Sequence, residues 1–321
     1  QDLEADIGVS NFGSEPFEGA VQVRVAGVGH ERDIDSPIIR AGLGDVSFVR
    51  IRLPLPKVQR PTRINIRAVA PGLPPNGWDL WAFPQVDDVP PDVVRLDGLT
   101  FSKKDLEPEF EERCYSSGWG MKARTWKAVM PHPETVLFKA PLWRFDGPMP
   151  PNTRVVVTHK LTSSVVDFLE NGGRVLLLAS RTPGGLGTKF LNVWGQVPLV
   201  IEEGPLGAGD ADWIADLLHH DLTRRYTRAI PSDELGIADQ VDPLVRLVFT
   251  HDRGAPKLLD SAFVARVGSG VLLATCLDHT EDPGRYLLQR FMEWLASEEA
   301  ACRSQLDPSL VRSWAIEAAT K

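Results

Sequence analysis

Residues 154–178 read RVVVTHKLTSSVVDFLENGGRVLLL, and this stretch decides the fold class of the second half of the chain. The apolar run 154–158 has the composition of a strand covered on both faces, and 174–179 (RVLLLA) forms a second such run. Between them, Thr162 is placed as a helix N-cap. Gly172 and Gly173 follow as a stop, because glycine adopts the left-handed C-cap conformation at little cost. Strand, helix and strand in this order predict a βαβ unit with parallel strands.

The same layer pattern continues downstream. Apolar periodicity predicts helices over 211–222, 283–296 and 309–319, and strands over 245–249, 262–267 and 271–276. Gly268-Ser269-Gly270 has the composition of a tight hairpin turn. Residues 151–321 are therefore predicted to form a flavodoxin-like or amidotransferase-like three-layer α/β open-sheet domain with a C-terminal helical tail.

Residues 1–84 show a different period. In 19–25 (GAVQVRV), Val21, Val23 and Val25 face one way while Gln22 and Arg24 face the other, which is typical of a half-buried strand. Further strands are predicted over 7–10, 46–55, 63–69 and 79–83. Short strands separated by turns, without a helical period, predict an antiparallel β-sandwich.

Residues 85–150 form a connector between these two parts. Ten prolines interrupt the stretch 84–151, and one acidic helix is predicted over 104–114. The density of aromatic residues is too high for a disordered linker. We therefore expect an ordered excursion that packs on one or both domains.

Composition excludes several classes of function. A formal net charge of −8 and the lack of a long basic run argue against a nucleic-acid partner. No apolar stretch is long enough to span a membrane. Residues 1–6 (QDLEAD) have no signal-peptide character and are expected to continue a longer chain. Three cysteines without close spacing favour a reducing, cytoplasmic setting, although a periplasmic or secreted parent protein and one disulfide stay open.

Three stretches together resemble the C-terminal region of bacterial glycoside hydrolase family 2 proteins. They are VSNFG at 9–13 followed by Gly19-Ala20, NGWDLWAFP at 76–84, and the α/β stretches 155–158, 172–178 (GGRVLLL) and 265–273 (ARVGSGVLL). The resemblance covers most of 1–84 and 151–297 and does not extend to 85–150. It implies an immunoglobulin-like β-sandwich followed by an amidotransferase-like domain. It also implies an upstream catalytic TIM barrel as the partner domain or chain.

The chemistry of a glycosidase is missing from this sequence. Retaining glycosidases need two carboxylates about 5 Å apart. In family 2 the acid/base is the Glu of an Asn-Glu pair, and this chain contains no Asn-Glu dipeptide. A TIM barrel needs eight βα units over about 250 residues. Because the first part of the chain has a β-sandwich pattern, the residues that remain are too few for such a barrel. No catalytic residue is predicted.

Candidate ligand-binding residues follow the buried strands, because open α/β sheets bind ligands beyond the carboxyl ends of their strands. One group is Arg181, Thr182 and Gly185, within a glycine-rich loop that does not match GxGxxG and more often serves as a flexible or interdomain loop. The other is Asp278 and His279, with Asp282 nearby.

Aromatic residues give a second class of candidate. Trp119 and Trp143 are candidate sugar-stacking platforms, as are Trp126, Trp194 and Trp78. Packing in a core or at a domain interface is the favoured role for tryptophans of this kind, above all for Trp78 and Trp81.

Nucleophile and metal signatures are weak. Cys276 ends a buried strand but lacks the flanking glycines of a nucleophile elbow, so a small buried hydrophobe is the favoured interpretation. Cys114 has no elbow context either. His219 and His220 are adjacent on a predicted helix and point about 100° apart, which disfavours joint chelation. No metal and no cofactor are predicted.

Three hypotheses of function remain open. The first is a non-catalytic accessory part of a family 2-like glycoside hydrolase, inactive alone, that supports the catalytic domain and contacts an oligo- or polysaccharide. The second is an independent carbohydrate-binding module. The third is an amidotransferase-like enzyme that uses Cys276.

Overall fold

The computed structural model describes residues 2–27, 29–55, 57–86, 89–97, 142–144, 149–179, 185–191, 198–202, 204–207, 209–218, 222, 227–250, 255–279 and 281–315. It is a β-rich chain with several sheets. The chain forms two compact units, Gln1–Gln85 and Val86–Lys321. The helix predicted over 104–114 lies outside the described residues.

Within the described residues of the first unit there are eight strands, and each is paired antiparallel. A four-stranded sheet has the order β4-β3-β7-β8, and β1 pairs with β6 and β2 with β5. The strands are β1 (Asp2–Ser10), β2 (Phe17–Gly19), β3 (Gln22–Gly27), β4 (His30–Asp35), β5 (Ile39–Ala41), β6 (Val46–Pro54), β7 (Thr62–Val69) and β8 (Asn76–Ala82).

Alternating side chains build the core of this unit. Val23 and Val25 on β3 and Ile64 and Ile66 on β7 are buried, while the residues between them are exposed. Side chains from β1, β5 and β6 share this core, including Ile7, Val9, Ile39 and Ile51. The period of two read from the sequence therefore predicted the buried faces correctly.

Asn11 fixes the turn that follows β1. Its side-chain amide donates to the carbonyl oxygens of Glu15 at 2.9 Å and Ala41 at 3.0 Å, and its Oδ1 accepts from the backbone N–H of Gly13 at 3.0 Å. A buried asparagine whose amide is satisfied in this way specifies one loop conformation.

The second unit is built on one mixed sheet of nine strands. Its order is β10-β9-β11-β12-β18-β17-β16-β14, and β19 pairs with β17. A separate two-stranded pair joins β13 and β15. The strands are β9 (Val93–Asp97), β10 (Leu142–Arg144), β11 (Val155–Thr158), β12 (Arg174–Leu178), β13 (Lys189–Leu191), β14 (Leu199–Ile201), β15 (Thr227–Ala229), β16 (Asp242–Phe249), β17 (Lys257–Val267), β18 (Gly270–Thr275) and β19 (Gln305–Leu306).

Five neighbouring strands, from β10 to β18, run parallel, and β17, β16 and β14 continue the sheet antiparallel. Strands β9 and β10 lie in the stretch for which the sequence predicted no strand. The hairpin between β17 and β18 is confirmed: Val267 pairs with Gly270, and Gly268 has a φ of 58°.

The predicted βαβ unit is confirmed. Helix α1 (Ser163–Glu170) joins β11 to β12, the hydroxyl of Thr162 accepts from the Val165 N–H at 3.3 Å, and Gly172 has a φ of 97°. Both faces of these strands are covered, since Val155 and Val156 are equally buried.

The remaining helices are α2 (Asp210–Leu217), α3 (Asp282–Ala296) and α4 (Pro308–Trp314). Helix α1 contacts β12, β18 and α4, whereas α3 contacts β11, β12 and β18. The guanidinium of Arg174 on β12 donates to the carbonyl oxygens of Leu295 and Ser297, which caps the C-terminus of α3.

Candidate functional site

The parallel strands end together at one edge of the large sheet, which we call the carboxyl edge. It is the edge where β11, β12 and β18 finish at Thr158, Leu178 and Thr275. Open α/β sheets hold their ligands beyond this edge. The residues that follow these three strands are therefore the candidates for a ligand-binding site.

Two candidate residues follow β18 at the carboxyl edge. Asp278 lies in the loop between β18 and α3, and its backbone N–H donates to the carbonyl oxygen of Leu222 at 2.7 Å. His279 is buried one residue further on. Gly185, after the neighbouring strand β12, is half-buried.

The imidazole of His279 ties this loop to the start of α3. Its Nδ1 lies 2.8 Å from the carbonyl oxygen of Gly284, so Nδ1 carries the proton, and its Nε2 lies 3.5 Å from the hydroxyl of Thr275. The ring also packs edge-on against Phe291. Burial lowers the pKa of His279 below its ordinary value, although the bond to Gly284 and the charge of Asp278 act in the opposite direction. The ring therefore connects this loop to the start of α3, and burial favours its neutral form.

Cys276 does not sit on a nucleophile elbow. Its thiol donates weakly to the carbonyl oxygens of Ser261 at 3.6 Å and Asp260 at 3.8 Å, and its backbone N–H bonds Ser261 at 2.9 Å. The hydrogen bonds of His279 go to Gly284 and Thr275. These contacts place the thiol against β17.

Sequence reasoning missed two buried polar residues at the carboxyl edge. His159 and Lys160 follow β11 directly and are only 8% and 6% exposed. The hydroxyl of Thr158 donates to the Lys160 carbonyl at 2.7 Å and accepts from the Lys160 N–H at 3.1 Å, which makes a tight turn before α1. Their position after a strand of the parallel sheet was the signal that could have found them.

Several candidates lie outside the described residues. These are Arg181, Thr182 and Trp119, together with Cys114, Trp126, Trp194, His219 and His220. Trp143 lies in β10, where its backbone is in register with Leu96 of β9. Ligand binding by Arg181, Thr182, Trp119 and Trp143 stays a prediction.

The first unit exposes apolar side chains on β8. Trp78 pairs with Ile66 and Leu80 with Ile64, so both point to the apolar face of the four-stranded sheet. However, 44% of Trp78 and 38% of Leu80 is exposed. Trp78 is therefore not a core side chain of this unit.

Within the described part of the chain, no group of three or more His, Cys, Asp or Glu side chains is arranged to hold a metal ion. None of the helices described there combines the length and apolar character needed to cross a membrane.

Two solved structures show a distant likeness to parts of the chain. No protein-family model and no curated protein matches the chain. The alkylpurine DNA glycosylase AlkC of Pseudomonas fluorescens, bound to DNA containing an abasic site analogue, is 11% identical. Its TM-score is 0.22, over 25% of this chain and 25% of that one. The exo-β-1,4-mannosidase Op5Man5 from Opitutaceae bacterium strain TAV5 is 13% identical, with a TM-score of 0.20 over 52% of this chain and 29% of that one. Similarity at this level establishes neither a shared fold nor a shared function.

Proposed function

We propose that this chain is the non-catalytic accessory part of a family 2-like glycoside hydrolase, working beside an upstream catalytic TIM-barrel domain or chain. In this proposal, 1–84 is an immunoglobulin-like β-sandwich, 85–150 is a connector, and 151–321 is an amidotransferase-like α/β domain. The chain would support the catalytic domain and contact the oligo- or polysaccharide substrate.

The observation that carries the proposal is the order of the two architectures. An all-antiparallel unit is followed by five parallel strands in the order β10-β9-β11-β12-β18. Numbered along the chain, this order is 2-1-3-4-5, the order of flavodoxin-like sheets. That succession agrees with the family 2-like stretches in the sequence, whereas an eight-stranded catalytic barrel is a closed parallel sheet.

The chemistry at the carboxyl edge supports a non-catalytic role. His279 is held by Gly284 and Thr275, and Cys276 by backbone carbonyl oxygens. Neither side chain is poised as a base or a nucleophile for glycoside cleavage, which requires two carboxylates flanking the bond.

Two measurements test the proposal. The purified chain is incubated with a panel of aryl α- and β-glycosides, and no turnover is expected. The native protein in its source is expected either to exceed the 35.4 kDa of this chain or to co-purify with a separate glycosidase chain. Turnover that one Glu→Gln substitution within this chain abolishes would overturn the proposal, as would a native protein of 35.4 kDa that co-purifies with no glycosidase.

A further inference from the structure

A pocket of about 210 Å³ lies in the second unit, away from the residues of the carboxyl edge. Its floor is apolar and is formed by Leu244 on β16, Val264 on β17 and Trp294 on α3. Its rim is polar and consists of Glu202, Asp242 and Arg303. An apolar floor with a few converging polar groups is the usual composition of a small-molecule site.

Arg303 bridges the two carboxylates of the rim. Its Nη2 lies 2.9 Å from Oε2 of Glu202, and its Nε lies 3.9 Å from Oδ1 of Asp242. The Arg303 side chain is 81% exposed, so it reaches across the opening instead of lying in the core. Arg303 is thus paired with both carboxylates, and the rim keeps one net negative charge.

Asp242 builds the rim but is not equipped for acid catalysis. Its carboxylate accepts hydrogen bonds from the N–H groups of Arg303 and Ser304 and from the Ser304 hydroxyl, the last at 2.7 Å. Burial raises the pKa of Asp242, but the bonds from Ser304 and Arg303 together outweigh burial and hold it below its ordinary value. A general acid of a glycosidase needs a raised pKa, so this pair of carboxylates indicates binding and not cleavage.

The charge pattern selects the class of ligand. The two carboxylates would repel an anion, and the guanidinium of Arg303 would repel a cation. A neutral ligand can instead bond the further N–H groups of Arg303 and the second oxygen of Glu202, because guanidinium has five donors and carboxylate about four acceptor sites. Trp294 offers an aromatic surface for an apolar face of the same ligand.

We propose that this pocket binds one neutral pyranose unit of a glycan, with the sugar packed on Trp294 and its hydroxyl groups bonded to Glu202 and Arg303. The volume is below the roughly 300–1,000 Å³ of sites for drug-sized ligands, which fits a single ring. The assignment of a glycan as the ligand rests on the proposed function, and it places the contact at residues that the sequence did not single out.

The test is an NMR titration of the ¹⁵N-labelled chain with the methyl glycosides of D-glucose, D-galactose, D-mannose and D-xylose. Saturable shifts of the backbone amides of Leu244 and Val264 are expected for at least one sugar, with a Kd of roughly 1 mM, and the same amides report on binding in every variant. Glu202→Gln and Trp294→Phe are each expected to weaken binding about tenfold. Glu293→Gln is the matched control, since Glu293 lies beside Trp294 on α3 without lining the pocket.

The outcomes separate the two proposals. Saturable binding that Glu202→Gln and Trp294→Phe weaken and Glu293→Gln does not supports the pocket. The pocket proposal is overturned if no sugar gives saturable shifts, or if both pocket variants bind as the parent does. The thermal midpoint of each variant shows whether it is folded. Hydrolysis of aryl glycosides on the same samples tests the accessory role by itself.

Discussion

The guanidinium of Arg246 and the carboxylate of Asp260 form a two-pronged ion pair across β16 and β17, with Nε to Oδ1 at 2.6 Å and Nη2 to Oδ2 at 2.8 Å. The two residues are register partners, Asp260 is 0% exposed, and the hydroxyl of Ser232 also donates to its carboxylate. Arg246 additionally donates to the Ala238 carbonyl at 3.2 Å. The pair therefore holds the turn 230–238 against the large sheet.

Asp260→Asn is expected to lower the free energy of unfolding of the second unit by about 3–5 kcal/mol, because it leaves the charge of Arg246 uncompensated in a buried site. Chemical denaturation followed by circular dichroism measures the change. The double variant Arg246→Met/Asp260→Leu should recover part of the loss, since a well-packed apolar pair removes both charges.

Asp33→Asn is the matched control for that experiment. Asp33 makes the same two-pronged contact with Arg24, at 2.8 and 3.0 Å, but both side chains are exposed. An exposed pair contributes little, so the unfolding midpoint should not change. An equal loss in Asp33→Asn and Asp260→Asn would show that burial does not set the strength of these pairs.

Gly284→Ala is expected to destabilise the protein by about 1–3 kcal/mol, although alanine usually stabilises a helix relative to glycine. An added Cβ would overlap the carbonyl oxygen of Asp278 and lie 2.8 Å from the Cα of His279, and backbone atoms cannot move aside as a flexible side chain can. The thermal unfolding midpoint measures the effect. Gly187→Ala is the control because its Cβ would meet nothing within 4 Å, and a stabilised Gly284→Ala would contradict this account.

Local signals explain what the sequence predicted well. The cap at Thr162, the stop at Gly172 and the turn at Gly268 act over a few residues, so each could be read without knowledge of the partner strands. The helix predicted over 211–222 is observed as α2, Asp210–Leu217, with Trp213 and Ile214 buried.

Non-local pairing explains what the sequence did not predict. Val93–Asp97 is a five-residue strand after Pro90 and Pro91, and its neighbour β11 begins about sixty residues later. Strands of three residues, such as Leu199–Ile201, are too short to show a period. The alternation of side chains along β8 places Trp78 on the apolar face of its sheet, but it does not predict how much of the Trp78 side chain is buried. The ion pair between Asp260 and Arg246 likewise depends on strand register. The contacts of Arg303 with Glu202 and Asp242 join residues that are far apart in the sequence, so they could not be predicted from it either.

Acid is expected to weaken the second unit through His279. Because burial holds the pKa of His279 below the value of about 6.5 of an unfolded histidine, the unfolded chain takes up the proton first as the pH falls. The free energy of unfolding should therefore be highest above pH 6.5 and fall as the pH drops below it. Denaturation series between pH 7.5 and 5 measure this slope.

His279→Asn isolates the contribution of this histidine to the acid response. The asparagine amide can replace Nδ1 as the donor to the Gly284 carbonyl, yet it does not titrate, so the slope below pH 6.5 should become shallower. An unchanged slope in His279→Asn would assign the acid response to other groups.

Cysteine labelling distinguishes the accessory role from a thiol enzyme. Burial raises the pKa of the Cys302 thiol to about 11, so at pH 7 it carries almost no thiolate and should react slowly with iodoacetamide. Cys276 is half-buried, and its thiol contacts the carbonyl oxygens of Asp260 and Ser261. Mass-spectrometric mapping of each cysteine-containing peptide should therefore find Cys276 labelled more slowly in the native chain than in the chain unfolded in urea. Faster labelling of Cys276 in the native chain, lost on His279→Asn, would instead identify an activated cysteine–histidine pair and an amidotransferase-like activity.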